Sequence, residues 1–387
     1  MTKKNNAVIK VKGALSAKYL RITHWNISGI ISDAHGNKLE DYDFLKFIDG
    51  EDIIALTETH VGEDTKLSIP GYVIKRKVRN KSKKAKRYSG GIALVIKKEL
   101  ESSIEIIKSR SDNIIWSRIK CTDGGKDFLL GTVYISPLNS SYSKNVLINQ
   151  FKTWDILIEE LSIFKSQYRI CLVGDFNART GTLPDVIKND DGKFVGLPED
   201  YVEDINIMNR NNCDNIVNQF GERLVEMCRM CGIRIVNGRK IGDSTGKKTC
   251  HEWNGSSTVD YMLADESVFH LVQTFKVNDK LDHLSDHCPF STIINLSCYK
   301  DTSKRIIIKQ YPPKKIKWDS MIEDTFKMRL GCKKTEDSIS NIKLLKFDSH
   351  ESIENAVSQI NNILTNAAGV QMSRRSVTKN IKRKKKK

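Results

Sequence analysis

The chain has no uninterrupted run of 18 apolar residues and no N-terminal apolar segment of the kind that marks a secretory signal. A helix crossing a bilayer needs about 20 such residues, so the protein is expected to be soluble, unsecreted and without a membrane partner. A disulfide framework is missing too: nine cysteines, an odd number, are scattered through apolar runs, which is the usage of a reducing compartment. The one C-x-x-C, formed by Cys228 and Cys231, has no second Cys or His pair at zinc-finger spacing. Leu224, Met227, Cys228 and Cys231 share one face of a helix expected to end at Gly232, so these thiols belong in a core. There is no G-x-x-x-x-G-K, which leaves Gly90-Gly91 as a tight turn rather than a phosphate loop. There is no internal repeat, and residues 300–387 carry no Asp-Asp polymerase motif.

Acidic residues are absent from two segments that carry much of the positive charge. The formal net charge is +17. Residues 75–87 hold nine Lys/Arg, among them Lys83, Lys84 and Arg87, and residues 374–387 hold nine more, both without an acid. The remainder of the chain is therefore close to neutral. Local basic patches suit a polyanion, because each phosphate neutralised releases condensed counterions. DNA is the expected partner, with Lys83, Lys84 and Arg87 against its backbone. The C-terminal block reads equally as a solvated tail or a nuclear address, and an intracellular, nuclear location is expected. No protein partner is specified.

At 387 residues, 39% of them hydrophobic, the chain suits one large or two ordinary domains with a sizeable core. Short apolar runs of strand length occur at 20–25, 53–56, 92–96, 128–134, 170–173, 233–236, 259–263 and 289–295. Leu147, Phe151, Trp154, Ile158 and Leu161 recur at spacings of four and three, which predicts an amphipathic helix, and residues 39–47 predict a shorter one. Such alternation implies α/β layers, but the pattern alone does not separate a doubly wound sheet from two packed sheets. Residues 182–216, rich in Asn and Asp, read as a long surface loop. Ile353, Val357, Ile360 and Leu364 mark a late helix, with Asp348 and Glu351 resembling a capping box and Gly369 beyond its end. The expected plan is a loose basic arm over 1–17, a catalytic domain over 18–297, and a basic linker with a helical tail over 298–387.

Five short motifs carry the chemistry. They are Thr23-His24-Trp25-Asn26-Ile27-Ser28, Ala55-Leu56-Thr57-Glu58-Thr59, Val133-Tyr134-Ile135-Ser136-Pro137, Val173-Gly174-Asp175-Phe176-Asn177 and Leu284-Ser285-Asp286-His287. The last two put Asp, Asn, Asp and His at strand ends. Phosphodiester cleavage needs such a set to hold a divalent metal, orient a water and donate to the non-bridging oxygens. Glu58 ends an apolar strand, where a carboxylate is costly unless it binds a cation, so it is the first choice of Mg²⁺ ligand. His283 and His287, four apart, do not read as a zinc pair, because Ser285, Asp286 and Pro289 argue against a helix there.

In this order the motifs resemble the endonuclease/exonuclease/phosphatase superfamily, and within it the apurinic-like endonuclease of non-LTR retrotransposons. The resemblance covers about residues 20–297. It implies an α/β fold in which a two-sheet β-sandwich is flanked by helices, the DNase I-like four-layer arrangement. It also implies Mg²⁺, with Mn²⁺ as a substitute, held by Glu58, Asn26 and Asp286. Asp175 would position or deprotonate the attacking water, and Asn177 and Tyr134 would donate to the phosphate. His287, oriented by Asp260, would contact that phosphate. Ser28 stands where the AP-endonuclease branch has Asp, which removes a carboxylate from that position.

The run Asn218-Gln-Phe-Gly-Glu-Arg-Leu-Val-Glu-Met-Cys228, then Ile235-Val-Asn-Gly-Arg239, Gly242-Asp243 and Lys248-Thr249-Cys250, narrows the likeness to animal retroelement endonucleases. In that group Thr249 precedes a hairpin that enters the DNA minor groove, here residues 250–258, and Ser285 supports the neighbouring loop at the nucleic acid. The implied activity is retrotransposon-type nicking of one DNA strand. Two alternatives stand beside it: a phosphodiesterase or phosphatase acting on RNA or another phosphoester, and a catalytically silent nucleic-acid-binding remnant. Residues 300–387 resemble more loosely the linker that joins endonuclease to reverse transcriptase.

Overall fold

The computed structural model describes residues 15–17, 19–32, 36–79, 81, 88–138, 140, 149–187, 207–300, 320–345 and 350–368. Lys83, Lys84, Arg87, the basic block at 374–387, Leu147, Asp348 and Gly369 lie outside them. The chain divides into two compact units, residues 1–308 and 309–387.

The first unit is built on two six-stranded sheets. One runs in the order Ile233–Ile235, Asp260–Asp265, Arg169–Asp175, Phe128–Tyr134, Ile114–Ile119, Ile104–Ile107. The other runs Val272–Val277, Phe290–Ile294, Leu20–Asn26, Ile53–Thr57, Ile92–Lys97, Tyr72–Lys77. Each sheet has one parallel pair at its centre, Phe128–Tyr134 with Arg169–Asp175 and Leu20–Asn26 with Ile53–Thr57. Parallel neighbours need a crossover, and the helices Asn149–Phe164 and Tyr42–Phe47 lie within the two crossovers.

Three cores separate four layers. Leu20, Ile22, Ile53 and Ala55 of one sheet meet Phe128, Leu130, Cys171 and Val173 of the other. Trp116, Leu129, Leu172 and Tyr261 pack outward on Trp154 and Leu157 of one helix and on Leu224 and Cys228 of another. Trp25, Leu56, Ala93 and Val95 pack outward on Phe44. Central strands covered on both faces read as continuous apolar runs; Ile53–Thr57 and Phe128–Tyr134 are buried at every position.

The helix expected over 39–47 is divided. A 3₁₀ turn, Lys38–Glu40, gives way at Asp41, whose extended backbone and Oδ1 cap the helix Tyr42–Phe47 by accepting from the N–H groups of Asp43 and Phe44. The helix expected up to Gly232 is Gln219–Cys231, capped by Asn218 and closed by Gly232 at φ 62°, a left-handed turn that favours glycine. The segment read as a surface loop over 182–216 is anchored at its described ends. Asp185 pairs with Arg239 at 2.6 Å and Asp214 with Arg179 at 2.7 Å, and both carboxylates are buried. Leu15–Ala17, inside the expected loose arm, pairs antiparallel with Cys298–Lys300.

The second unit contains the helices Ser320–Leu330, Lys333–Lys343 and His350–Ala368. Ile353, Val357, Ile360 and Leu364 do lie on a helix, and each stays 45–48% exposed. Among the described residues no helix is long and apolar enough to cross a membrane.

Candidate active site

Both parallel pairs end at one edge of the sandwich. Register sets Tyr134 opposite Asp175 and Asp175 opposite Asp260, so three functional side chains stand in one row. In the other sheet Asn26 pairs with Thr57, directly before Glu58. Gly174 makes the first row possible, because a Cβ there would stand 2.0 Å from the carbonyl oxygen of Val133. The Gly of the Gly-Asp motif is therefore a packing requirement of the strand that delivers Asp175.

Hydrogen bonds knit the row to the opposite sheet. Asn26 Nδ2 donates to Asp175 Oδ2 at 2.9 Å and lies 3.4 Å from His287 Nε2. Its orientation is set by the Ser28 N–H, which donates to Asn26 Oδ1 at 3.0 Å and leaves that oxygen one lone pair. Asn177 donates its backbone N–H to Asp175 Oδ1 at 2.9 Å and its amide to the Ile135 carbonyl at 2.8 Å. His287 Nδ1 lies 2.8 Å from Asp260 Oδ2, and Tyr134 donates its hydroxyl to Glu58 Oε1 at 2.8 Å. The structure thus joins Asn26, Asp175, Asn177, Asp260 and His287 into one network, with Glu58 and Tyr134 beside it.

Backbone strain concentrates here. Among the described residues, the non-glycine positions with positive φ are Ser28, Glu58, His60 and Asn177, at 48–52°, and each lies in a strand-end loop of this site. Left-handed backbone costs a residue with a Cβ about 1–2 kcal/mol, and such strain collects where surrounding structure aims side chains.

The electrostatics separate the roles. Burial opposes ionisation of Glu58, but hydrogen bonds from His60 and Tyr134 and the charges of His60 and His287 outweigh it and hold the carboxyl at about 2. Burial first, then the charges of Asp260 and Glu58, push Asp175 well above the usual carboxylate range, against the pull of His287 and the Asn177 N–H. Burial alone would lower His287; the charge and hydrogen bond of Asp260, a hydrogen bond with the Cys250 thiol and the charge of Asp175 hold it well above its ordinary value. Burial and the charges of Glu58 and Asp175 keep Tyr134 a phenol. Behind the row, buried His24 is lowered to about 4, mainly by desolvation.

Hard oxygen donors suit Mg²⁺, which keeps several waters and needs only one or two protein carboxylates. Glu58, ionised, and Asn26 Oδ1 fit that demand. Burial and then the charges of Asp260 and Glu58 raise Asp175, and a cation there would offset those charges. Asp286, the third expected ligand, lies with its ligand atom within 4.8 Å of those of Cys250 and His287.

Several expected contacts turn out to be internal. Thr249 is buried, and its hydroxyl oxygen accepts from the N–H groups of Val259 and Asp260 at 3.1 Å each. Ser285 is buried too, donating to the Asn26 carbonyl at 2.6 Å and accepting from His287 N–H at 3.1 Å. Both hydroxyls brace catalytic loops and neither is exposed as a nucleic-acid contact. In the internal basic segment, Lys77 donates to the carbonyls of Ser109 and Ser111 at 3.1 and 2.6 Å, and Arg79 lies over the Tyr134 ring at 4.7 Å. Those cations complete the fold.

Lys38 was not singled out in the sequence, and Trp25 and the hairpin add contacts that the sequence does not specify. Lys38 Nζ donates to the carbonyls of Ile27, Ser28 and Leu284, locking the loop after Asn26 to the Ser-Asp-His loop. Trp25 Nε1 donates to the His287 carbonyl at 2.9 Å. The hairpin of Cys250–Glu252 and Gly255–Ser257 is joined to the same loop, since His251 N–H donates to the Asp286 carbonyl at 2.9 Å. Its tip carries Trp253, 97% exposed.

A sequence profile of the Endonuclease/Exonuclease/phosphatase family matches residues 23–287. No curated protein matches the chain. Among solved structures, the AP endonuclease LMAP from Leishmania major is 12% identical with a TM-score of 0.50, covering 72% of this chain and 88% of that one. The 3'-5' exonuclease NExo from Neisseria meningitidis is 14% identical with a TM-score of 0.46, covering 70% of this chain and 98% of that one. At 12% identity the likeness to the Leishmania enzyme is one of fold.

Proposed function

The chain belongs to the endonuclease/exonuclease/phosphatase family, and we propose that it is a Mg²⁺-dependent endonuclease that nicks one strand of DNA. The observation that carries this reading is the clustering of Asp175, Asp260 and His287, whose ligand atoms lie within 4.8 Å of one another, beside a loop to which the hairpin of exposed Trp253 is hydrogen-bonded.

The chain's own residues divide the labour. His287, held by Asp260, turns Nε2 toward the site, where it donates to a phosphate oxygen and stabilises charge that grows during displacement. Asp175, with its raised proton affinity, orients the attacking water and takes its proton. Asn177 and Tyr134, whose amide and hydroxyl here donate to the Ile135 carbonyl and to Glu58, would turn those donors to the remaining oxygens when a phosphate binds. Glu58, Asn26 and Asp286 would hold Mg²⁺, which when bound would supply charge neutralisation at the phosphate. An exposed indole beside this machinery offers a stacking surface to a base, which a small phosphomonoester would not use. The likeness of residues 218–250 to retroelement endonucleases supports retrotransposon-type nicking as the finer form of the proposal.

A substrate panel tests it: supercoiled DNA, RNA of the same length and p-nitrophenyl phosphate. Nicked DNA as the preferred product supports the proposal. Faster turnover of RNA or of the monoester overturns it.

A further inference from the structure

We infer that His24 is a positioning residue that holds the Asp260 carboxylate from the side opposite His287. The inference rests on the catalytic reading of His287 and adds a residue to it. Asp260 is wholly buried and gives Oδ2 to His287 Nδ1 at 2.8 Å. Its other oxygen, Oδ1, has no hydrogen-bond partner. His24 is equally buried, its Nδ1 also has no partner, and the two atoms face each other at 3.8 Å. A donor and an acceptor left over in the same dry site are complementary, and a shift of under ~1 Å brings them to the ~2.9 Å of an N–H···O bond.

The far side of the ring fixes which nitrogen carries the proton. His24 Nε2 lies 3.3 Å from Thr57 Oγ1, a hydroxyl able to donate. With Thr57 donating to Nε2, the neutral ring carries its proton on Nδ1 and aims it at Asp260. The ring is held in place by Phe290, with centroids 5.1 Å apart, and by strand pairing to Phe290 and Ala55. Asp260 then has an imidazole on each oxygen, which fixes the plane of its carboxylate and so the direction of His287 Nε2. A plain core histidine would account for the packing but not for two unpartnered polar atoms facing each other.

Two substitutions and one spectroscopic readout on the full chain decide the matter. His24→Phe keeps the ring and removes the donor; His24→Asn restores a donor near the place of Nδ1. Positioning predicts that His24→Phe lowers kcat on DNA by about tenfold or more with KM little changed, because misplacement by a fraction of an ångström acts on the chemical step. It predicts that His24→Asn recovers most of that loss. Equal kcat in His24→Phe and wild type, or equal impairment in both variants, overturns the inference. Independently of any activity, ¹⁵N shifts of the histidine side chains report the tautomer: His24 protonated on Nδ1 supports the inference and His24 protonated on Nε2 overturns it. The tautomer is read even if the protein hydrolyses no DNA, so failure of the proposed function and failure of this inference remain distinct.

Discussion

The side-chain amide of Asn26 donates to Asp175 Oδ2 at 2.9 Å, joining residues 149 positions apart on different sheets. The contact means that the active site exists only when the two sheets are packed face to face. Each sheet supplies half: Asn26 and Glu58 from one, Tyr134, Asp175 and Asp260 from the other. His287 arrives on the loop before Phe290–Ile294 and is held between them.

Removing either side chain proposed to act on the phosphate should therefore cost rate without costing the fold. Asp175→Ala and His287→Ala are each expected to lower the hydrolysis rate by at least ~100-fold, the scale of a positioned base or charge-stabilising donor. Circular dichroism should show native folding in both. A folded variant with full activity refutes the role given to that residue.

The hairpin tip predicts a separation of binding from chemistry. Trp253→Ala should weaken DNA binding by about 1–3 kcal/mol, the usual worth of stacking one base on an aromatic side chain. Turnover at saturating DNA should stay near wild type, because Trp253 makes none of the catalytic hydrogen bonds described. Unchanged affinity in a binding titration rules out the stacking role.

Away from the site, Asp185 offers a stability test with a defined pH sign. Burial alone would raise its carboxyl, but the hydrogen bond and charge of Arg239 outweigh this and hold it below its ordinary 3.8. A depressed carboxyl contributes stability that is complete above 3.8 and is lost as pH falls through the folded-state value. Asp185→Asn leaves Arg239 buried without its counter-charge, a loss of about 3–5 kcal/mol at neutral pH. Urea unfolding should show the gap between variant and wild type shrinking once the pH drops below 3.8. A gap independent of pH contradicts the pairing.

Much of this architecture was legible in the sequence because central strands are covered on both faces and stand out as apolar runs. The strand Tyr72–Lys77 was not, since its exposed edge carries Lys75, Arg76 and Lys77 and dilutes the pattern. Asp41 escaped notice as a helix boundary because the apolar spacing of 39–47 continues across it, and only its cap geometry reveals the break. The motif residues Asn26, Asp175, Asn177, Asp260 and His287 meet because each lies at or beside a strand terminus at one edge. Thr249 and Ser285 brace loops from buried positions, and a hydroxyl that contacts DNA and one that braces a loop look alike in one dimension. The contacts of Lys38, and that of His24 within its motif, lay beyond sequence reasoning. The partner carbonyl of Lys38 is 246 positions away, and His24 faces a carboxylate on the opposite sheet.

The central claim is a phosphodiester hydrolysis that depends on a divalent cation at Glu58. The most direct measurement follows supercoiled plasmid exposed to metal-free protein, to protein with Mg²⁺, and to the Glu58→Gln variant with Mg²⁺. The account predicts conversion to nicked circles only in the second case, with activity abolished by EDTA and restored by added Mg²⁺ or Mn²⁺. Nicking at full rate by protein shown to be metal-free, or by Glu58→Gln at the same Mg²⁺ concentration, would contradict it.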